Sequence, residues 1–132
     1  MNSTIAQPSL PPRSLDEHEA KQLLKQYNIP VVDERTARDA EEAVRAAESF
    51  GYPVVLKGMG AALQHKTEKG LVLLHLHDAA AVRRAAGRIS DAAGADLEAF
   101  LVQPQITGQR ELMVGLFRDP QFGPVVLFGL GG

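Results

Sequence analysis

Ala20, Leu23, Leu24 and Tyr27 fall at i, i+3, i+4 and i+7, the repeat of one helical face. The pattern predicts a helix opened by Ser14, with Glu17 in the capping-box position and Asn28 and Pro30 as the stop. Val31-Val32 then begins a short strand. A second helix is predicted from Asp39, with Glu42 in its box position and Ala40, Ala43, Val44, Ala47 and Phe50 as the buried stripe. Gly51 suits a left-handed cap, and Pro53 blocks continuation. Residues 54–56 read as a buried strand, 58–69 as a loop and 71–76 as a strand. Asp78 caps a third helix whose inner face is Val82, Ala85, Ala86, Ile89 and Ala93, with Gly94 at its end. Strands follow at 100–103, 111–117 and 125–130, the last two joined by a turn rich in Pro and Gly.

Consecutive strands without intervening helices imply hairpins. The expected class is therefore α+β, with a mixed or mostly antiparallel sheet and helices mainly on one face. Gly58 and Gly60 lack a third glycine at a helix start, which disfavours a dinucleotide-binding Rossmann unit, and no Walker A motif occurs. Residues 1–13 read as a flexible, proline-rich lead-in, and 14–132 as one domain or part of a larger one.

Composition narrows the chemistry. The 132 residues are 45% hydrophobic, enough for a sizeable core, and the net charge of −2 calls for neither nucleic acid nor a membrane surface. With no cysteine there is no disulfide, thiolate metal site or cysteine nucleophile, which fits a cytoplasmic protein. The first residues do not read as a signal peptide, and no apolar run is long enough to span a bilayer.

The candidate chemistry centres on Gly51-Tyr52-Pro53-Val54-Val55-Leu56-Lys57, a strand that ends on a cation, and on the charged turn His65-Lys66-Thr67-Glu68-Lys69-Gly70. A lysine ammonium beside a glycine-spaced loop suits phosphate binding, since backbone N–H groups can approach oxyanions closely. On residue type alone a solvated strand end and a polar turn explain both segments equally well. His75 and His77 alternate on one strand but have no evident third ligand, so they read as a solvated sheet face rather than a metal site.

The motifs together resemble a known family. Leu15 to Ala20 with Leu23-Leu24 and Tyr27-Asn28-Ile29-Pro30-Val31, the Gly51–Lys57 segment, His65-Lys66-Thr67-Glu68, and Val102-Gln103-Pro104 are similar to the ATP-grasp module of NDP-forming acyl-CoA synthetases. So is Arg118-Asp119-Pro120-Gln121-Phe122-Gly123-Pro124-Val125-Val126 followed by Gly129-Leu130-Gly131-Gly132. That family includes ADP-forming acetyl-CoA synthetases, relatives of the succinyl-CoA synthetase β chain and ATP-grasp-containing protein acetyltransferases. The resemblance implies the nucleotide-binding subdomain of an ATP-grasp fold, with nucleotide as ligand and CoA-binding and ligase domains or subunits as partners. It implies reversible phosphoryl transfer between nucleotide and acyl-phosphate through a phosphohistidine. ATP or ADP would bind with Mg²⁺, whose ligands are expected beyond Gly132, so the fragment alone is expected to be inactive. Lys57 would contact phosphate, and Gln103, Pro104 and Gln105 would form the adenine hinge. Glu111 would accept ribose hydroxyls, and His65 would be the phosphoryl acceptor or a phosphate ligand. The acidic residue that the family carries ahead of the histidine is absent here. That absence keeps open a binding or regulatory module of a protein acetyltransferase, or a non-catalytic fragment that packs on a partner domain.

Overall fold

The computed structural model describes residues 15–63, 70–108 and 110–131. In chain order these form helix α1 (Glu17–Gln26), strand β1 (Arg35–Ala37), helix α2 (Ala40–Phe50) and strand β2 (Val54–Met59). A 3-10 turn (Ala61–Leu63), strand β3 (Val72–Leu76), helix α3 (Ala79–Ala93) and a second 3-10 turn (Gly94–Asp96) follow. Strands β4 (Ala99–Pro104), β5 (Leu112–Asp119) and β6 (Gly123–Leu130) complete the described chain. Four strands make one sheet in the order β1-β4-β2-β3, and β5 and β6 pair as a separate hairpin. Every pairing is antiparallel, as expected for the α+β class.

Helices α2 and α3 pack on one sheet face. Asp39 and Asp78 start them by accepting the N–H groups of Glu42 and Ala81, each three residues on. Val44, Ala47, Val82 and Ile89 meet Val54, Leu56, Phe100 and Val102 in a single core. Val54, Leu56, Val82, Ile89, Leu101 and Val102 are the largest side chains wholly removed from solvent. Each such burial stabilises by about 1.5–3 kcal/mol before the entropy of ordering is subtracted.

The first helix differs from its expected form. Asp16, not Ser14, is the cap: its carboxylate accepts Glu19 N–H at 2.7 Å, and Glu19 accepts Asp16 N–H at 3.1 Å. This reciprocal box fixes the start two residues later than the sequence pattern suggests. No residue of α1 is buried, and Leu23, Leu24 and Tyr27 stay exposed. The side of the helix bearing Glu17 and Lys21 faces the sheet instead. The first strand also lies later than expected, at Arg35–Ala37 rather than Val31-Val32, because those three residues find partners on β4 at Val102, Leu101 and Phe100. Strand β2 continues through Met59, so Gly58 is a strand residue paired with Phe100 rather than the start of a loop. The proposed lead-in, 1–13, lies outside the described residues.

Candidate functional site

Side chains on a strand alternate between faces. Val54, Leu56 and Val102 belong to the core under α2 and α3, so Lys57 and Gln103 project from the opposite face. The register pairs Lys57 with Leu101 and Val55 with Gln103, which places the two polar residues diagonally across β2 and β4.

Helix α1 reaches this face with charge. Lys57 Nζ donates to Glu17 Oε1 at 2.6 Å and Oε2 at 2.9 Å. Lys21 Nζ donates to Glu17 Oε1 at 2.7 Å, Glu34 Oε2 at 2.7 Å and Gln103 Oε1 at 3.0 Å. His18 Nδ1 lies 2.7 Å from Glu34 Oε1. The side chain of Glu34 is 0% exposed and that of Lys21 15% exposed. Two carboxylates thus balance two ammonium groups at the sheet surface. For Glu17, partial burial pushes the carboxyl upward, but hydrogen bonds and charge from Lys21 and Lys57 outweigh it and hold the group below its ordinary value. For Lys21, burial acts downward, and its bonds to Glu17 and Glu34 more than offset this, raising it above the ordinary lysine value.

The remaining candidates are more scattered. Pro104 ends β4 opposite Val54 and has no N–H to give. The Gln105 backbone N–H donates to Pro53 O at 3.1 Å, and its side chain turns to β3. There Gln105 Oε1 accepts His75 N–H at 2.7 Å, with Nε2 2.9 Å from His75 Nδ1. These contacts hold a bulge in β3 where His75 takes a φ of 58°. His75 and His77 stack with ring centroids 6.4 Å apart. Among the described residues no group of three or more His, Asp or Glu could hold a metal ion. Glu111 is exposed just before β5, and its carbonyl accepts Gly131 N–H at 3.0 Å. His65 lies outside the described residues.

Glu17, His18, Lys21 and Glu34 were not among the candidates read from sequence. The Glu17–Lys21 pair carried a signal, since an acid four residues before a lysine shares its helix face. Glu34 carried none, because its partners come from distant positions.

An ATP-grasp domain model matches residues 10–132. The chain belongs to the ATP-grasp family. It is 42% identical over 125 residues to the β subunit of acetate–CoA ligase (ADP-forming) I of Pyrococcus furiosus, covering 91% of this chain and 54% of that subunit. Its fold matches an acetyl-coenzyme A synthetase of Candidatus Korarchaeum cryptofilum, solved with coenzyme A, Ca-AMPCP and HgCl⁺, with a TM-score of 0.81. That match has 42% identity and covers 87% of this chain and 52% of the solved one. A second structure of that synthetase holds Mg-AMPPCP with a phosphohistidine segment pointing towards the nucleotide-binding site (TM-score 0.68, 42% identity, 87% and 49% coverage). This ATP-grasp chain therefore spans about half the length of that β subunit and of that solved synthetase chain. No helix among its described residues is long and apolar enough to cross a membrane.

Proposed function

We propose that this ATP-grasp chain is the nucleotide-binding subdomain of a cytoplasmic ADP-forming acyl-CoA synthetase. It would work with CoA-binding and ligase domains or subunits of the same enzyme. Within that enzyme it would bind ADP or ATP during reversible phosphoryl transfer from acyl-phosphate. The observation that carries this reading is the placement of Lys57 and Gln103 on one sheet face, away from the core, within segments that resemble the family's motifs. The ammonium of Lys57 neutralises phosphate charge, and such transfer depends chiefly on positioning and charge. Gln103, Pro104 and Gln105 form the hinge beside the purine, and Glu111 accepts from the ribose. His65 would serve the terminal phosphate as acceptor or ligand, the role that the family resemblance implies. When bound, Mg²⁺ would supply further neutralisation of phosphate charge, and the family resemblance puts its ligands beyond Gly132. Similarity to ligases favours this catalytic reading over a regulatory module of an acetyltransferase.

One pair of variants tests the assignment in the intact protein. Lys57→Ala should weaken ADP binding, read by calorimetry, by about tenfold or more, because a charge-assisted contact contributes about 1.5–3 kcal/mol. Unchanged affinity in a folded variant would overturn the role of Lys57. His65→Asn should lower turnover much more than affinity, the mark of a group that acts during transfer. Loss of neither would place His65 outside the chemistry.

A further inference from the structure

Lys21 has an unusual relation to the sheet face that bears Lys57 and Gln103. A lysine ammonium has three N–H donors and no acceptor. Here Glu17, Glu34 and Gln103 offer one acceptor to each of them, so Lys21 has no N–H left for a ligand. Yet it contacts a hinge residue directly. Because the lysine can only donate, the oxygen of the Gln103 amide must face it, and the amide NH2 must point the other way. Among the described residues nothing takes up Gln103 Nε2.

Glu17 treats Lys57 in a parallel way. Its two oxygens accept from Nζ at 2.6 Å and 2.9 Å, which draws the ammonium toward α1 and leaves N–H capacity on the side away from the helix. No residue of helix α1 is fully buried, and these bonds tie the helix to this face. Glu34, with its side chain wholly buried beneath Lys21 and bonded to His18, anchors the arrangement.

We propose that Lys21 is a positioning residue of the nucleotide cleft: it locks the Gln103 amide so that its NH2 donates to an acceptor atom of the bound nucleotide. This rests on the reading of Gln103 as a nucleotide contact. The free rotation of an amide costs a ligand the right donor half of the time and adds ordering entropy on binding, and a fixed amide avoids both. Lys21 acts through Gln103 and touches no reacting atom.

The test is a double-mutant cycle in the intact protein, with ADP affinity read by calorimetry and folding by thermal melting. Lys21→Met alone leaves Glu34 buried beside His18 without its cation, so Lys21→Met/Glu34→Gln is made as well to restore a neutral pair. Both variants should weaken ADP binding about three- to tenfold, the range of one hydrogen bond. Gln103→Ala should weaken binding similarly in the parent protein but by less than about twofold on the Lys21→Met/Glu34→Gln background, since the amide is then no longer aimed. If Gln103→Ala has no effect in the parent, the nucleotide contact assigned to Gln103 fails, and this inference with it. If Gln103→Ala weakens binding and the two losses simply add, or if the Lys21 variants lower only the melting temperature, Lys21 is a structural ion-pair partner and the proposal is overturned.

Discussion

Gly60 sits where the chain leaves β2, and a Cβ there would lie 2.0 Å from the carbonyl oxygen of Asp96. A Cβ at Gly58 would lie 2.8 Å from Cγ2 of Ile89. In sequence the two glycines look like the freedom of a phosphate loop. In the structure they allow β2 to run close under the end of α3 and the turn that follows it. The obstacles differ in kind. The Asp96 carbonyl is backbone, in a turn tied to β2 by the bond from Glu98 N–H to Met59 O at 2.8 Å. The Ile89 methyl is a side-chain end that can shift, though in a fully buried setting. Overpacking of this sort destabilises by about 1–3 kcal/mol, and a backbone obstacle belongs at or above the top of that range. Gly60→Ala should therefore lower the urea midpoint more than Gly58→Ala does. Equal or reversed losses would show that the turn at Asp96 yields more easily than the Ile89 side chain.

At the scale of elements, helix α1 depends on charge where α2 and α3 depend on apolar burial. Its docking should follow the titration of its own groups. The groups that meet there are Glu17, His18 and Lys21 from α1, Glu34 ahead of β1, and Lys57 and Gln103 from the sheet. The Glu17 value is depressed in the folded state, so its contribution is full above the ordinary carboxylate value of 4.5 and is lost as pH falls through the lowered folded value. The Lys21 value is raised, so its contribution is full below 10.5 and is lost as pH rises through the raised value. Between those limits α1 should be protected from amide exchange; below pH 4.5 its protection should decline before that of α2 and α3. Simultaneous loss in all three helices would mean that α1 has no separate electrostatic docking. The same contrast explains what was legible in the sequence. The caps at Asp39 and Asp78 and the inner face of α3 are local signals backed by burial, and all appear as read. For α1 the apolar repeat was real, but cross-sheet ion pairs set the orientation, and no local pattern encodes those. Of the candidate site, the lysine after the apolar run was visible, although it lies within β2, which continues through Met59, rather than at the strand end expected; its partners on α1 depended on the tertiary fold.

At the scale of the whole molecule, β5 and β6 stand apart. They bond to each other from Leu112↔Leu130 to Asp119↔Gly123 and join no other strand among the described residues. Along β5, Leu112, Met113, Val114, Leu116 and Phe117 are all exposed, as are Val126, Leu127, Phe128 and Leu130 on β6. These residues occupy both faces of the hairpin, because neighbours in sequence point opposite ways. A two-stranded hairpin with neither face covered is marginal in water, and contiguous apolar surface of this kind promotes association. The chain spans about half the length of the β subunit and of the solved synthetase chain that it matches. The 132-residue chain should therefore bind an apolar dye strongly and self-associate with rising concentration, seen as a growing sedimentation coefficient. Leu116→Lys with Phe128→Lys, which changes one face of the hairpin, should reduce both effects while leaving the core under α2 and α3 folded, as judged by a retained melting transition. Dye binding that persists in this variant would locate the exposed apolar surface on the hairpin's other face, at Met113, Phe117 and Leu127, or on the outer face of α1 at Leu23, Leu24 and Tyr27, the next regions to alter. A monomer that binds no dye would show that the hairpin finds cover within these 132 residues.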